Sequence, residues 1–395
     1  MSTELERQLR AGFGRLPKPT REASARARAA ALDALGPHRR RSRGGLLLVS
    51  FAVAFVIGAG AAALAATGNL HVRLGAGERP KRPVPTRLSV PAGSHGVAVV
   101  AGGKLWLATR SGLRIEGMPV SAAELSPRAL YAVVGIGSSL VTLAPGNRRP
   151  WVHQTDGRVV SAAWSPDGLK IVYVVARRGA DELRLIEGDG SPDRLLVRRV
   201  RPVRPSWRAD SLAVAYVDAH GRAAVFDLSS GLRRTFDTRR CGGAAREVAY
   251  DRRAPVLAVV SAHGIAVARG RPVPASYDGN RPASCATLDV SASPLAAGWL
   301  QSGQVVLAVN RPLGGSLERL SGTNLNEAGA AFGRQRLRGL AAAPKGSSVA
   351  VALRRSAGVV DIGLVSSPER GARLKLSRPF LRLRTTAGAV SISWR

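Results

Sequence analysis

A closed ring of four-stranded β-sheets, tethered by one apolar helix, is the fold this sequence predicts. Three observations carry the prediction. A turn phrase recurs at intervals of 39 to 52 residues, apolar runs of strand length separate its copies, and the last residues read as the start of a further repeat. Repetition at that period marks an array of small units, none of which can bury its own apolar face alone.

The phrase is clearest at Trp164-Ser165-Pro166-Asp167-Gly168, where a strand end meets a tight turn and the apolar run 171–176 follows. Asp suits such a turn because its carboxylate accepts hydrogen bonds from nearby backbone, and Gly because it tolerates positive φ. Weaker copies stand at Trp207-Arg208-Ala209-Asp210 and Tyr250-Asp251-Arg252-Arg253. Others lie at Leu125-Ser126-Pro127, Ala292-Ser293-Pro294 and Ala342-Ala343-Pro344. With Leu125, Trp164, Trp207, Tyr250, Ala292, Ala342 and Trp394 as anchors, the spacings are 39, 43, 43, 42, 50 and 52.

A unit of that size suits the four short strands of a β-propeller blade. The unit around Trp164 shows all four, at 160–164, 171–176, 183–186 and 195–200, separated by Asp167-Gly168, Gly179-Ala180-Asp181 and Gly188-Asp189-Gly190-Ser191-Pro192. Its second run is continuously apolar, which predicts burial on both faces between neighbouring blades. The first strands carry small residues, as a tight centre requires. Residues 389–395 read as a first strand with nothing after it, while 97–101, 104–110 and 113–116 read as second, third and fourth strands with no first. Joined, they make one composite blade. The expected fold is therefore an all-β, seven-bladed propeller over 91–395, closed by its own last strand so that no sheet edge is left open. In this reading Leu125, Trp164, Pro166, Asp167, Gly168, Trp207, Asp210, Tyr250 and Trp394 are structural anchors.

The Trp-Ser-Pro-Asp-Gly phrase followed by an apolar strand through Tyr173 resembles the repeats of TolB and related WD-repeat-like propellers of the bacterial envelope. The resemblance covers roughly 90–395 and is specific at 164–173. The copies at Trp207 and Tyr250 lack the Pro and Gly. It implies a platform for binding other molecules, and one fold hosts many functions.

Residues 44–68 contain no charged side chain. At ~1.5 Å per helical residue the 46–66 stretch spans about 30 Å, the thickness of a bilayer core. Arg39, Arg40, Arg41 and Arg43 abut its N-terminal side, so the positive-inside rule places a basic tail, 1–43, in the cytoplasm. The rival reading, a cleaved signal peptide with a site near Ala63-Leu64-Ala65, meets an n-region far longer than such peptides carry. The expected localisation is a bacterial cell membrane, with a single-pass signal anchor and the C-terminal domain outside. Residues 69–90 form a basic, Pro/Gly-rich linker. An oxidising exterior permits a disulfide between Cys241 and Cys285, each expected in a connection between consecutive blades. Closing 44 residues stabilises by ~4 kcal/mol in the chain-entropy model.

The formal net charge is +33, with +7 in residues 1–43 and +26 in the remainder. Such a surface attracts anionic wall polymers or lipid headgroups, whereas nucleic acid is not an expected partner of a domain outside the cell. Only six of the 59 basic residues are Lys, so compositional bias toward Arg is the alternative account of the charge. The tail offers a capping box at Thr3-Glu4-Leu5-Glu6 and an alanine-rich helix toward Leu35, too little to bury a core, so it is either disordered or folds on a cytoplasmic partner.

No motif for a cofactor, metal or catalytic nucleophile stands out. His220 and His263 occupy matching turns 43 residues apart, and the acidic stretch from Glu187 to Asp193 lacks the alternating carboxylates of a calcium loop. The expected function is a non-catalytic binding or scaffold module recognising an envelope protein or polymer through propeller loops. Two alternatives stay open: an anti-sigma-like transmembrane regulator whose tail binds a cytoplasmic protein, and an enzyme with its active site in the central channel.

Overall fold

The computed structural model describes residues 88–395 except 92, 270–283, 322–323, 344–347, 366–378 and 386–388, all within one compact unit, Arg82–Arg395. The tail 1–43, the apolar run 44–68 and most of the linker 69–90 lie outside the described residues. Among the described residues no helix is long and apolar enough to cross a membrane.

The unit is a ring of seven antiparallel four-stranded sheets. Blade 1 contains β1 (Gly96–Ala101), β2 (Lys104–Thr109) and β3 (Arg114–Pro119). Blade 2 is β4 (Ala122–Leu125), β5 (Ala132–Ile136), β6 (Ser139–Leu143) and β7 (Val152–Gln154). Blade 3 is β8 (Arg158–Trp164), β9 (Lys170–Ala176), β10 (Asp181–Glu187) and β11 (Asp193–Val200). Blade 4 is β12 (Ser206–Trp207), β13 (Ala213–Val217), β14 (Ala223–Asp227) and β15 (Arg233–Phe236). Blade 5 is β16 (Ala245–Tyr250), β17 (Val256–Ser261), β18 (Gly264–Arg269) and β19 (Ser284–Thr287). Blade 6 is β20 (Ser293–Trp299), β21 (Val305–Arg311), β22 (Gly314–Ser321) and β23 (Asn324–Ala331). Blade 7 is β24 (Arg336–Ala342), β25 (Val349–Ser356), β26 (Val359–Val365) and β27 (Leu381–Arg384), and β28 (Val390–Trp394) returns to complete blade 1.

The composite blade forms as the repeat predicts. β28 lies against β1 with Trp394 opposite Val97, Ile392 opposite Val99 and Val390 opposite Ala101. The closing strand is also tied to blade 2, where the Leu125 N–H donates to Ser393 Oγ at 3.2 Å.

The core is not one mass but seven clusters, one at each junction between neighbouring blades. The apolar second strands explain this. All five residues of β13 and the five central residues of β9 are buried, because each sheet is covered on both faces by its neighbours. Each such Val, Ile or Leu contributes about 1.5–3 kcal/mol of burial. The junction between blades 7 and 1 buries Val390, Ile392 and Trp394 of β28 beside Ile362 and Leu383, so ring closure rests on the same packing as every other junction.

We call the face where the innermost strands begin the upper face, and the face where they end, at the repeat anchors, the lower face. The chain enters at the lower face: His95 N donates to the Arg395 carbonyl at 2.7 Å, and Leu88 is buried in the junction between blades 7 and 1. The centre is tight. A Cβ on Gly339 of β24 would stand 2.1 Å from the Val390 carbonyl oxygen of β28.

One sequence anchor is displaced. Ala292 does not end an innermost strand; it precedes β20, which ends at Trp299. The Ser293-Pro294 pair copies the wording of the turn phrase but begins the strand, where a register shift between Pro294 and Ala296 accommodates a residue without an N–H. With Trp299 as anchor the neighbouring spacings become 49 and 43, and blade 6 regains an aromatic.

Candidate functional site: the central channel

The innermost strands enclose a channel of two chambers. The upper chamber has a volume of about 830 Å³ and the lower about 360 Å³; Arg204, Glu247, Leu340 and Ile392 line both.

The lower chamber is walled by the anchors themselves: Trp164, Trp207, Tyr250, Trp299 and Trp394, with Pro166 at its rim. Their spacing in the chain places each at the lower end of an innermost strand, where it packs toward the preceding blade. The Trp207 indole N–H donates to the Ala163 carbonyl at 2.9 Å, and the Trp299 indole N–H to the Ala249 carbonyl at 2.7 Å. Leu125 is fully buried in the same layer of blade 2. Behind the anchors the turn residues close the chain on itself. Asp167 Oδ1 accepts from the Ser165 hydroxyl and from the Leu169 N–H at 2.9 Å, and Gly168 takes φ +76°. Burial raises the Asp167 pKa, but hydrogen bonds from Ser165 and Leu169 and the Lys170 charge outweigh it, leaving the carboxyl below its ordinary value. Asp210 Oδ1 accepts from the Leu212 N–H at 2.9 Å and pairs with Arg208.

Charge enters the channel where the small-residue rule breaks. Three residues before each anchor the ring reads Ala122, Ser161, Arg204, Glu247, Ala296, Gly339 and Ser391. One residue before, it reads Glu124, Ala163, Ser206, Ala249, Gly298, Ala341 and Ser393. Glu124, Arg204 and Glu247 are the exceptions. Glu124 is 2 % exposed and receives Arg204 on one carboxylate oxygen and Arg395 on the other, with Arg395 Nε also donating to the Leu125 carbonyl at 3.3 Å. Arg252 stands beside this cluster. Burial, with the like charges of Arg395 and Arg204, lowers its pKa to about 10 against the opposing pull of Glu124.

Glu247 meets a different environment. Burial pushes its carboxyl up to about 7, opposed by the Arg204 charge and a hydrogen bond from the Ala297 backbone. Higher in the channel the lining holds Arg158, Arg246 and Arg338 beside Val160, Val203 and Leu295. Arg158 and Arg246 make no ion pair among the described residues. Elsewhere buried carboxylates are matched by arginine: Asp218 by Arg222 and Arg233, Glu182 by Arg177 and Arg184, Asp361 by Arg355 and Arg382. With 59 basic and 26 acidic residues the chain has basic side chains in excess of the acids that could pair with them.

This arrangement suits binding better than bond-making. The channel hydroxyls bond to backbone: Ser161 to the Val203 carbonyl at 3.3 Å, Ser206 from the Tyr250 N–H at 2.9 Å. None of these has a base beside it, and the lining of the two chambers includes no His or Cys. Among the described residues no group of three or more His, Cys, Asp or Glu is placed to hold a metal. His220 and His263 lie in the upper-face turns β13–β14 and β17–β18, outside the channel lining.

Cys241 and Cys285 are joined by a disulfide, with Cα atoms 5.3 Å apart. Its placement differs from expectation. Cys241 lies in the connection entering blade 5, but Cys285 is on β19, the outermost strand of that blade, opposite Ala266. Counting back from Ala292 rather than Trp299 put Cys285 in a connection. The bond ties a connection to the blade it enters.

Sequence reasoning from the turn phrase missed Glu124, Arg204, Glu247, Arg158, Arg246 and Arg338. For Glu124, Arg204 and Glu247 the signal was available in the innermost strands once aligned on their anchors, as charged residues in layers otherwise Ala, Ser or Gly.

No family model and no curated protein matches the chain. Among the solved structures similar to it are three propellers at low identity. The Cps50 (Swd1) β-propeller domain of Myceliophteria thermophila is 11% identical with a TM-score of 0.49, over 69% of this chain and 97% of that one. TolB from Acinetobacter baumannii is 12% identical with a TM-score of 0.45, over 79% and 68%. A putative TolB from Agrobacterium tumefaciens is 11% identical with a TM-score of 0.42, over 76% and 98%; likeness at this level carries no argument about function, and the seven sheets of the chain itself establish the propeller.

Proposed function

We propose that this chain is a non-catalytic binding module, tethered to the bacterial cell membrane by residues 44–68, whose propeller recognises its partner outside the cell through the upper face. The observation that carries the reading is the position of the upper chamber: a wide, arginine-lined opening without a nucleophile–base pair, on the face opposite chain entry. A tether joining at the lower face leaves the upper mouth clear. The Cys241–Cys285 bond and the Arg39–Arg43 cluster support an exterior propeller and an interior tail.

Two measurements on the full chain in its native membrane test this. A membrane-impermeant maleimide is expected to label Ser230→Cys in intact cells and Ser2→Cys only after permeabilisation; the reverse pattern overturns the topology. A photo-crosslinking residue at His263, in an exposed upper-face turn, is expected to give a discrete adduct, and one at Leu169, exposed on the lower face, none. Adducts confined to Leu169 overturn the recognition face.

A further inference from the structure

We propose that the upper chamber is a binding site for a small multivalent oxyanion, a phosphate- or carboxylate-rich molecule held by Arg158, Arg246 and Arg338. This deepens the reading of the upper face as the recognition face.

The chamber's volume, about 830 Å³, falls within the range of small-molecule sites. The three arginines come from different parts of the ring: Arg158 begins β8, Arg246 is on β16 and Arg338 on β24. A guanidinium presents two parallel donors to one carboxylate or phosphate group. Guanidinium groups borne by blades 3, 5 and 7 are best matched by one ligand carrying several oxyanions. The protein supplies little competition. Glu124 is engaged below the chamber with Arg204 and Arg395, and Arg158 and Arg246 have no carboxylate partner among the described residues. Apolar walls from Val160, Val203 and Leu295 lower the local dielectric and strengthen such contacts.

Glu247 makes the site pH-sensitive. The charged groups around it are Arg204 from the connection before β12, Arg246 on its own strand, Arg158 on β8 and Arg338 on β24. Glu124 of β4, Arg252 and Arg395 lie toward the lower chamber. As the pH falls through about 7 the Glu247 carboxyl takes up a proton, which removes the chamber's one negative charge and favours a bound anion. At pH 8 the ionised carboxylate is expected to weaken binding roughly tenfold relative to a chain with a neutral side chain at this position.

The test is calorimetric titration of the full chain in neutral detergent with sodium tripolyphosphate in one arm and citrate in the other. One equivalent is expected to bind in at least one arm, and the preferred arm identifies phosphate or carboxylate as the native chemistry. Arg158→Gln and Arg246→Gln should each weaken it roughly tenfold or more. Arg158→Lys, which keeps the charge but not the paired donors, should weaken it less. Arg128→Gln, the same charge change on a lower-face turn, should leave affinity unchanged, and Glu247→Gln should match the parent at pH 6 and bind more tightly than the parent at pH 8. Absence of binding in both arms, or an equal loss from Arg128→Gln, overturns the proposal. The maleimide and crosslinking results stand or fall separately.

Discussion

In the lower chamber Glu124 takes a guanidinium on each carboxylate oxygen, from Arg204 and Arg395, and five aromatic anchors close the walls around them. In the upper chamber, one strand length away, Arg158 and Arg246 face the lumen with no carboxylate partner among the described residues, and the one carboxylate present is pushed toward neutrality by burial. Both ends draw on arginine and glutamate. At the lower end these residues lock the last strand to blade 2; at the upper end they leave positive charge available. Fold stability should therefore concentrate below and ligand affinity above.

The sharpest way to break this comparison is to truncate one wall residue at each end. Trp207→Ala removes a buried aromatic and its bond to the Ala163 carbonyl, and is expected to cost about 3–5 kcal/mol in denaturant unfolding. Arg246→Gln, an exposed change above, should cost less than about 0.5 kcal/mol. Equal costs would refute the division. A smaller effect is expected for Glu124→Gln. It strands Arg204 and Arg395, and because Arg204 is partly solvated the loss should be about 1–3 kcal/mol, less than for a fully buried pair. A variant as stable as the parent would mean that this carboxylate does not help to latch the ring.

The smallest effect has a size that depends on pH. Because the folded-state pKa of Glu247 is raised from its ordinary 4.5 to about 7, the folded chain holds a proton that the unfolded chain has lost across that window, and stability falls as pH rises through it. Glu247→Gln should thus match the parent below about pH 4.5 and exceed its stability above pH 7 by about 1–2 kcal/mol, less than the roughly 3 kcal/mol of the full shift because the side chain is only partly buried. A gain independent of pH, or a loss at pH 8, would show that the carboxyl is held ionised instead.

The architecture was legible because propeller packing writes itself into sequence. A strand buried on both faces must be continuously apolar, as β9 and β13 are, and a closing strand must carry the same anchor as the others, as Trp394 does. The anchor of blade 6 was not. Ser293-Pro294 satisfies the wording of a turn while standing at a strand start, and only the pairing of β20 with β21 separates the two uses. Cys285 moved with it. The channel site was less legible still, since no single basic residue is informative in a chain with 59 of them. Arg204 and Glu247 acquire meaning from position, in a layer where the tight centre demands small side chains.

A structure of the full chain determined with tripolyphosphate present tests the central claim most directly. The account predicts one ligand in the upper chamber, with oxygens within hydrogen-bonding distance of Arg158 and Arg246 and the Glu124–Arg204–Arg395 cluster unchanged beneath it. Ligand found only on the outer surface of the blades, or seated in the lower chamber with that cluster opened, would contradict it.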